Sequence, residues 1–213
     1  MPFMISLLLD TSNQALSVAV NRDKEVVAEI NTNYKRTHSE TLLENINKVL
    51  EIADLKKTDI DRIIVAKGPG SYTGVRIAAT VAKMLAKGLN IPLYSVSSLF
   101  VLAASEQFDG SVTALIDARR AHVYTASYDF KNGKVETISE PTYQMFKEED
   151  NTQYFLNGNE KRTIDIVNFI NVTPRISRVE QFENMLNLED ADLFTPNYLR
   201  ISEAEKNWQD KQK

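Results

Sequence analysis

The 213-residue chain contains no cysteine. That excludes a disulfide scaffold, thiolate metal sites and cysteine nucleophiles, and it suits a reducing compartment. No apolar run approaches the length that crosses a bilayer. The start, MPFMISLLLDTS, has no basic n-region and runs straight into a strand pattern. A signal peptide is therefore not expected, and a cytosolic protein without membrane association is. Positive charge is not in excess either: the net charge is -4, with a pI near 5.4. A stand-alone nucleic-acid binder usually carries a basic face, so tight binding by this chain alone is disfavoured, although a local patch remains compatible. Glycine is scarce, with seven residues and none after Gly158. The Gly-Lys-Ser/Thr ending of a Walker loop and the glycine spacing of a Rossmann turn are both missing.

What is present centres on Ile63 to Gly88, IIVAKGPGSYTGVRIAATVAKMLAKG. Ile63 to Ala66 is a short apolar run of the kind found in a strand covered on both faces. Gly68, Pro69 and Gly70 stop it with a tight turn. Ser71 or Thr73 can cap the helix that follows. Gly88 stands where a left-handed C-terminal residue is wanted, and Pro92 prevents renewed helix. The turn either offers backbone N–H groups to an anion at a helix N-terminus or lets the helix pack tightly on its strand. The helix carries two stripes: Ile77, Val81, Met84 and Leu85, and a smaller-residue set of Val75, Ala79, Ala82 and Ala86. A helix lying on a sheet needs one stripe, and a second of small residues suits close approach by a partner helix.

A composition of 43% hydrophobic residues permits one large domain or two smaller ones. Strands are predicted at Ile5–Asp10, Ala15–Val20 and Glu25–Ile30, joined by short turns as an antiparallel meander. Thr37 and Glu40 fit a capping box for a helix bearing Leu42, Ile46, Val49, Leu50 and Ala53, with Leu43 widening the stripe. Leu93–Val96 is a further strand, and Ser97 or Ser98 opens a helix. The first half thus reads as a mixed sheet with helical crossovers. The second half begins again: ALIDARRAHVYTASY echoes LLLDTSNQALSVAV, each an apolar strand ending in Asp, a polar turn and an alternating strand. Asn132-Gly133 signals a hairpin leading into Val135–Ile138. After it come a weak helix at Tyr143–Glu149, a strand at Gln153–Leu156, a helix at Glu160–Ile170 and a last helix at Val179–Leu188. Two lobes that each open strand–Asp–turn–strand suggest a nucleotide clamp.

Asp10 and Asp117 each fit a magnesium ion or a water near a phosphate, or simply a carboxylate accepting turn N–H groups. His38 has Leu42 at i+4 and so no metal partner there; it fits acid–base work or a surface or interface position. His122, beside Arg119 and Arg120, belongs either to a phosphate contact or to a solvated turn. With no glycine pair after Gly158, the adenosine loop of a nucleotide clamp is incomplete.

The segments LLLDTSNQALSVAV, THSETLL, AKGPGSYTGVRIAATVAKMLA, IPLYSVSSL, ALIDARRAHVY and PNYLR together resemble the TsaB (YeaZ) family, and they span nearly the whole chain. The resemblance implies an α/β fold of the actin-like, sugar kinase and Hsp70 (ASKHA) type, with lobes at 1–105 and 106–213, each a mixed sheet flanked by helices. It implies a bacterial cytosolic protein needed to form threonylcarbamoyladenosine beside the tRNA anticodon. In that pathway TsaD carries the active site and transfers threonylcarbamoyl from its adenylate to tRNA. TsaB pairs with TsaD, and the ATPase TsaE joins them. Alone, the chain is expected to form a homodimer, and tRNA to be contacted weakly or only within the complex. TsaD has a metal-binding His-x-x-x-His pair after the strand matching IPLYSV, where this chain has Ser98 and Leu102, and neither replaces an imidazole. No catalytic residue, metal or cofactor is therefore expected, and Asp10 and Asp117 mark a degenerate nucleotide site. His38, Leu42, Leu43, Ile46, Tyr72, Val75, Arg76, Ala79, Ala82 and Lys83 are expected at the interface, with alanines at the closest approach of a four-helix bundle. The alternative is a self-sufficient ATP-dependent enzyme or small-molecule kinase of actin-like fold that uses Asp10 or Asp117.

Overall fold

The computed structural model describes residues 3–33, 38–158 and 163–199. Strands β1 (Ile5–Asp10), β2 (Leu16–Arg22) and β3 (Glu25–Thr32) form the expected antiparallel meander. Helices α1 (His38–Ile52) and α2 (Tyr72–Leu89) carry the chain over to β4 (Arg62–Ala66) and β5 (Leu93–Val96), which extend the sheet in parallel from β1. Helix α3 (Ser98–Ala104) then leads to a second sheet. There β6 (Gly110–Arg119), β7 (His122–Lys131) and β8 (Lys134–Met145) meander, and β9 (Tyr154–Leu156) and β10 (Phe169–Asn171) add in parallel beside β6. The second sheet, ordered β10-β9-β6-β7-β8, repeats the order β5-β4-β1-β2-β3 of the first. The echo between the segments around Asp10 and Asp117 is therefore an equivalence of position. Among the described residues no helix is long and apolar enough to cross a membrane.

Every residue of β1 and β4 is buried, because both faces of the first sheet are covered. Leu7, Leu9, Ile63 and Val65 pack with α1 and α2 on one face. Leu8, Ile64 and Ala66 pack with α3 on the other. Helix α3 is buried along its whole length, and its cluster takes in Val112, Ala114, Ala126 and Tyr128 of the second sheet. Phe100 is its largest anchor, with ring centroids 5.2 Å from Tyr128 and 5.7 Å from Phe182. Burying Phe100 and each neighbouring leucine contributes about 1.5–3 kcal/mol before entropy is counted. Burial pushes the Tyr128 phenol well above its ordinary pKa, so it stays neutral.

Several expectations are corrected. Gly88 lies inside α2; the left-handed C-terminal residue is Asn90, with φ 55°, a position that asparagine also tolerates. Tyr143 is not helical, because β8 runs on to Met145 and pairs Tyr143 with Tyr124. No helix spans 163–170, where Phe169–Asn171 is a strand, while Glu160 and Thr37 lie outside the described residues. The predicted last helix is instead two 3-10 turns, Ile176–Gln181 and Glu183–Met185, followed by β11 (Asn187–Glu189). Ile176, Val179 and Phe182 recur every third residue, the period of a 3-10 turn, which over so short a span resembles an α stripe.

That last segment does not stay with the second sheet. Strand β11 pairs antiparallel with β5 at the edge of the first. The turn before it lies over the first sheet and carries Glu180, whose side chain is 1% exposed. Arg62 Nη2 donates to Glu180 Oε1 at 2.5 Å and Asn21 Nδ2 to Oε2 at 2.6 Å, while Arg62 Nε donates to Ser6 Oγ at 2.9 Å. Ser6 itself donates to Glu180. Nearby, Arg175 Nε and Ser177 Oγ donate to Glu29 at 2.9 and 2.7 Å. The chain passes from the first sheet to the second between α3 and β6, and residues 176–189 return to the first.

Removing one partner of a buried ion pair leaves the other charge uncompensated. Glu180→Ala is expected to destabilise the chain by about 3–5 kcal/mol in urea unfolding, whereas Arg62→Met with Glu180→Leu is expected to recover most of that loss.

Candidate functional site

The glycine-rich turn after β4 meets the turn after β1, and the fit is tight. Ser71 N–H donates to Ser12 O at 2.7 Å, and Thr11 Oγ1 donates to Gly74 O at 2.6 Å. A Cβ on Gly70 would lie 2.3 Å from Ser12 O, and one on Gly74 would lie 2.0 Å from Thr11 O. Backbone cannot retreat from such contacts, so only glycine fits. Ser71 caps α2, its Oγ accepting from Gly74 N–H at 3.3 Å. These contacts are tight packing, but of the glycine-rich turn and the start of α2 on the turn after β1 rather than of α2 on β4.

Ser98 clasps the same turn from the other side. Its Oγ accepts from Gly68 N–H and its N–H donates to Gly68 O, both at 3.0 Å. Leu102, one helical turn on, is fully buried. The C-terminal segment closes the turn from outside, where Asn197 N–H donates to Lys67 O at 2.7 Å. Tyr198 lays its ring 5.0 Å from that of Tyr72. Burial pushes the Tyr198 phenol up, and Arg76 opposes it. A cavity of about 390 Å³ lies here, lined by Lys67, Glu189, Asn197 and Tyr198 among others.

Asp10 and Asp117 end equivalent strands and make equivalent turns. Asp10 Oδ1 accepts from Ser12 N–H at 2.8 Å and Asp117 Oδ1 from Arg119 N–H at 2.7 Å. This is the Asx turn, in which a carboxylate holds the backbone two residues on. Asp117 also accepts from the N–H and hydroxyl of Thr163, each at 2.7 Å. The two turns differ in cover. Thr11, Ser12 and Asn13 are buried, whereas Arg119, Arg120 and Ala121 are exposed. Between the sheets, Asn157 Oδ1 accepts from Ala15 N–H at 3.4 Å, and Gly158, with φ +100°, stands so close to Gln14 that a Cβ would lie 2.9 Å from its Oε1.

The expected interface residues separate into two groups. Leu42, Ile46, Val75, Ala79 and Ala82 are at most 3% exposed and belong to the chain's own core, a correction to their expected place at an interface. The small-residue stripe of α2 faces inward because α1 and α2 share one face of the sheet, and alanines let α2 approach it closely. Lys83 is half-buried and donates to the carbonyls of Asp192 and Phe194, at 3.2 and 2.9 Å. Leu43, Tyr72 and Arg76 do lie outside, joined there by Met84 at 68% exposure, with Ile77 and Val81 half-buried beside them. Arg76 donates to the Tyr72 hydroxyl at 2.7 Å. His38 begins α1, and its side chain lies outside what is described. The C-terminal clasp escaped sequence reasoning: Pro196-Asn197-Tyr198 stood out as a motif, but nothing in it named Lys67 or Tyr72 as its neighbours.

The fold recurs in known proteins. A tRNA threonylcarbamoyladenosine biosynthesis protein TsaB from Bacillus subtilis (strain 168) is 38% identical over 229 residues, covering 99% of this chain and 100% of its own. The chain belongs to the TsaB (YeaZ) family. The family model described as TsaD: tRNA N6-adenosine threonylcarbamoyltransferase matches residues 25–171. Among solved structures, YeaZ from Pseudomonas aeruginosa superposes with a TM-score of 0.76 at 26% identity, covering 92% of this chain and 100% of that one. An uncharacterized Pseudomonas aeruginosa protein with similarity to peptidase YEAZ gives a TM-score of 0.77 at 27% identity with the same coverage. The expected actin-like α/β fold of two lobes is thus the fold of this TsaB-family chain.

The glycines divide by what surrounds them. Gly74→Ala is expected to unfold or strongly destabilise the chain, whereas Gly88→Ala, with nothing within 4 Å and helical backbone, is expected to add roughly 0.5–1 kcal/mol. Ala79→Arg, which places an unpaired charge in the core, is expected to prevent folding in the absence of any partner. Thermal unfolding followed by circular dichroism separates these outcomes.

Proposed function

We propose that this chain is a non-catalytic partner subunit in the formation of threonylcarbamoyladenosine on tRNA, pairing with TsaD, with TsaE joining the pair. The observation that carries this reading is the closed site around Ser98. Where TsaD is expected to hold a metal with two histidines, this chain has Ser98 hydrogen-bonded to the Gly68 turn and Leu102 sealed in the core. The curated relative named for threonylcarbamoyladenosine biosynthesis supports the pathway. The match to a TsaD family model supports descent from the same fold as the enzyme it would accompany.

The pairing surface is the outer face of α1 and α2, where Leu43 and Met84 stand out and Ile77 and Val81 continue the apolar ground. In the absence of TsaD the same face pairs two copies of the chain. This moves the interface from the inward alanines to the larger outward residues. The alternative of a self-sufficient ATP-dependent enzyme predicts ATP turnover that Asp10→Ala abolishes.

Leu43→Arg with Met84→Arg tests the surface. Exposed positions cost the fold little, so the circular dichroism spectrum and melting temperature should stay near wild type. Calorimetric affinity for the same organism's TsaD should fall at least a hundredfold, about 2.7 kcal/mol, while threonylcarbamoyladenosine levels drop in cells. Unchanged affinity for TsaD would remove this face from the interface, and normal modification in a strain lacking the chain would remove the function.

A further inference from the structure

The 3-10 turn Ile176–Gln181, which carries Glu180, is tied to the second lobe on both sides. Before it, Arg175 N–H donates to Ser105 Oγ at 2.8 Å, just past α3. After it, Asn184 Nδ2 donates to Val135 O of β8 at 3.3 Å. Between these ties the turn borders a cavity of about 390 Å³. The other walls are the loop 106–109 and the hairpin turn 131–134. These walls and the segments that lead into them all lie among the described residues.

Phe108, Phe130 and Phe182 give the cavity its apolar lining. Phe130 and Phe182 meet edge to face at 5.6 Å, and Phe108 packs on Phe155 at 5.7 Å. The core therefore holds all three rings in place. Lys131, Lys134 and Arg178 line it against Glu106 and Asp109, an excess of one positive charge. Arg178 sets the chemistry. It is half-buried, and among the described residues its guanidinium has no hydrogen bond or ion pair. Arg62, Arg76 and Arg175 each have one, to Glu180, the Tyr72 hydroxyl and Glu29. Partial burial strips a guanidinium of some of its hydration, and an anion restores what is lost.

We propose that this cavity binds a small aromatic carboxylic acid as its monoanion, with the carboxylate on Arg178 and the ring against Phe108 and Phe182. A guanidinium fork matches a carboxylate with two parallel hydrogen bonds, and a flat ring packs on phenyl faces and edges. The volume falls within the roughly 300–1,000 Å³ of small-molecule sites. One excess positive charge suits one negative charge, while Glu106 and Asp109 oppose a doubly charged phosphate. The site is distinct from the Asp117 turn. Gly110 and Phe130 pair at one end of the β6–β7 ladder, and Asp117 and Val123 lie towards the other. A bound acid joins the hairpin to the turn that carries Glu180, so it stabilises the folded chain by mass action. The inference stands apart from the pairing with TsaD.

The test is calorimetric titration of the full chain with 2-naphthylacetate. One site with a Kd of about 0.1–1 mM is expected, the range for a fragment of this size. Saturating probe should raise the melting temperature by about 2–5 °C. The amide 2-naphthylacetamide, of the same shape without the charge, should bind about tenfold more weakly, and acetate, without the rings, should not bind measurably. Arg178→Gln is expected to weaken the acid about tenfold and to leave the amide unchanged. Lys131→Gln with Lys134→Gln should cost about two- to threefold. Lys56→Gln with Lys57→Gln, an exposed pair on the first lobe, is the control and should change nothing. No saturable binding up to about 10 mM would overturn the site. So would equal affinity for acid and amide, wild-type affinity in Arg178→Gln, or equal losses in the two lysine variants. Tighter binding of 2-naphthyl phosphate than of the acid would overturn the choice of a monocarboxylate. If Arg178→Gln fails to fold, the Lys131 and Lys134 variant decides the location, because both side chains are exposed and cost the fold little. Unchanged affinity there removes the site.

Discussion

The buried pair of Arg62 and Glu180 is the contact on which the two-lobed arrangement depends. It joins the first residue of β4 to a 3-10 turn 118 positions later in the chain. Ser6 and Asn21 complete it from β1 and β2, so three adjacent strands hold one carboxylate. Such a pair adds little net stability over an apolar replacement, since desolvation offsets most of the attraction. Its value here is positional: a carboxylate that must find this guanidinium admits one placement of the turn. With the turn placed, Ile176 and Val179 complete the core between the sheets, and β11 falls at the edge beside β5.

The two lobes share a strand order and differ in what covers them. On the first, α1 and α2 seal one face and the α2 N-terminus closes over the Asp10 turn. On the second, short loops and a small cluster around Leu115, Val123 and Ile164 do the corresponding work. The pairing surface proposed above uses the lobe that has the two long helices.

Much of the first sheet was legible in the sequence, for a physical reason. Ile5–Asp10 and Ile63–Ala66 are continuous apolar runs bounded by turn residues, which only a doubly covered strand explains well. The hairpin at Asn132-Gly133 was legible from its two residues. The orientation of α2 was not. Which stripe faces inward depends on how near the helix axis comes to the sheet, and that distance is set by α1, which no local pattern in α2 records. The stretch from Ile176 to Glu189 was illegible for a related reason: its apolar residues recur every three, and its polar ones are satisfied by partners on β1, β2 and β4. Asp10 and Asp117 were recognised as a pair, and their shared turn geometry was one of the two readings open for them.

The pairing of Arg62 with Glu180 also sets an order of events at the ribosome. Arg62 is made well before its counter-charge, and translation at about 5–20 residues per second separates the two by roughly 6–24 s. Throughout that interval the nascent first sheet has an unmatched guanidinium on the face that later becomes interior. The nascent sheet also has the β5 edge open to any other strand, since β11 is made later still. Completion of the first lobe is therefore a late step of synthesis, and a chain cut short before residue 180 carries an N-terminal lobe that is composed but not closed.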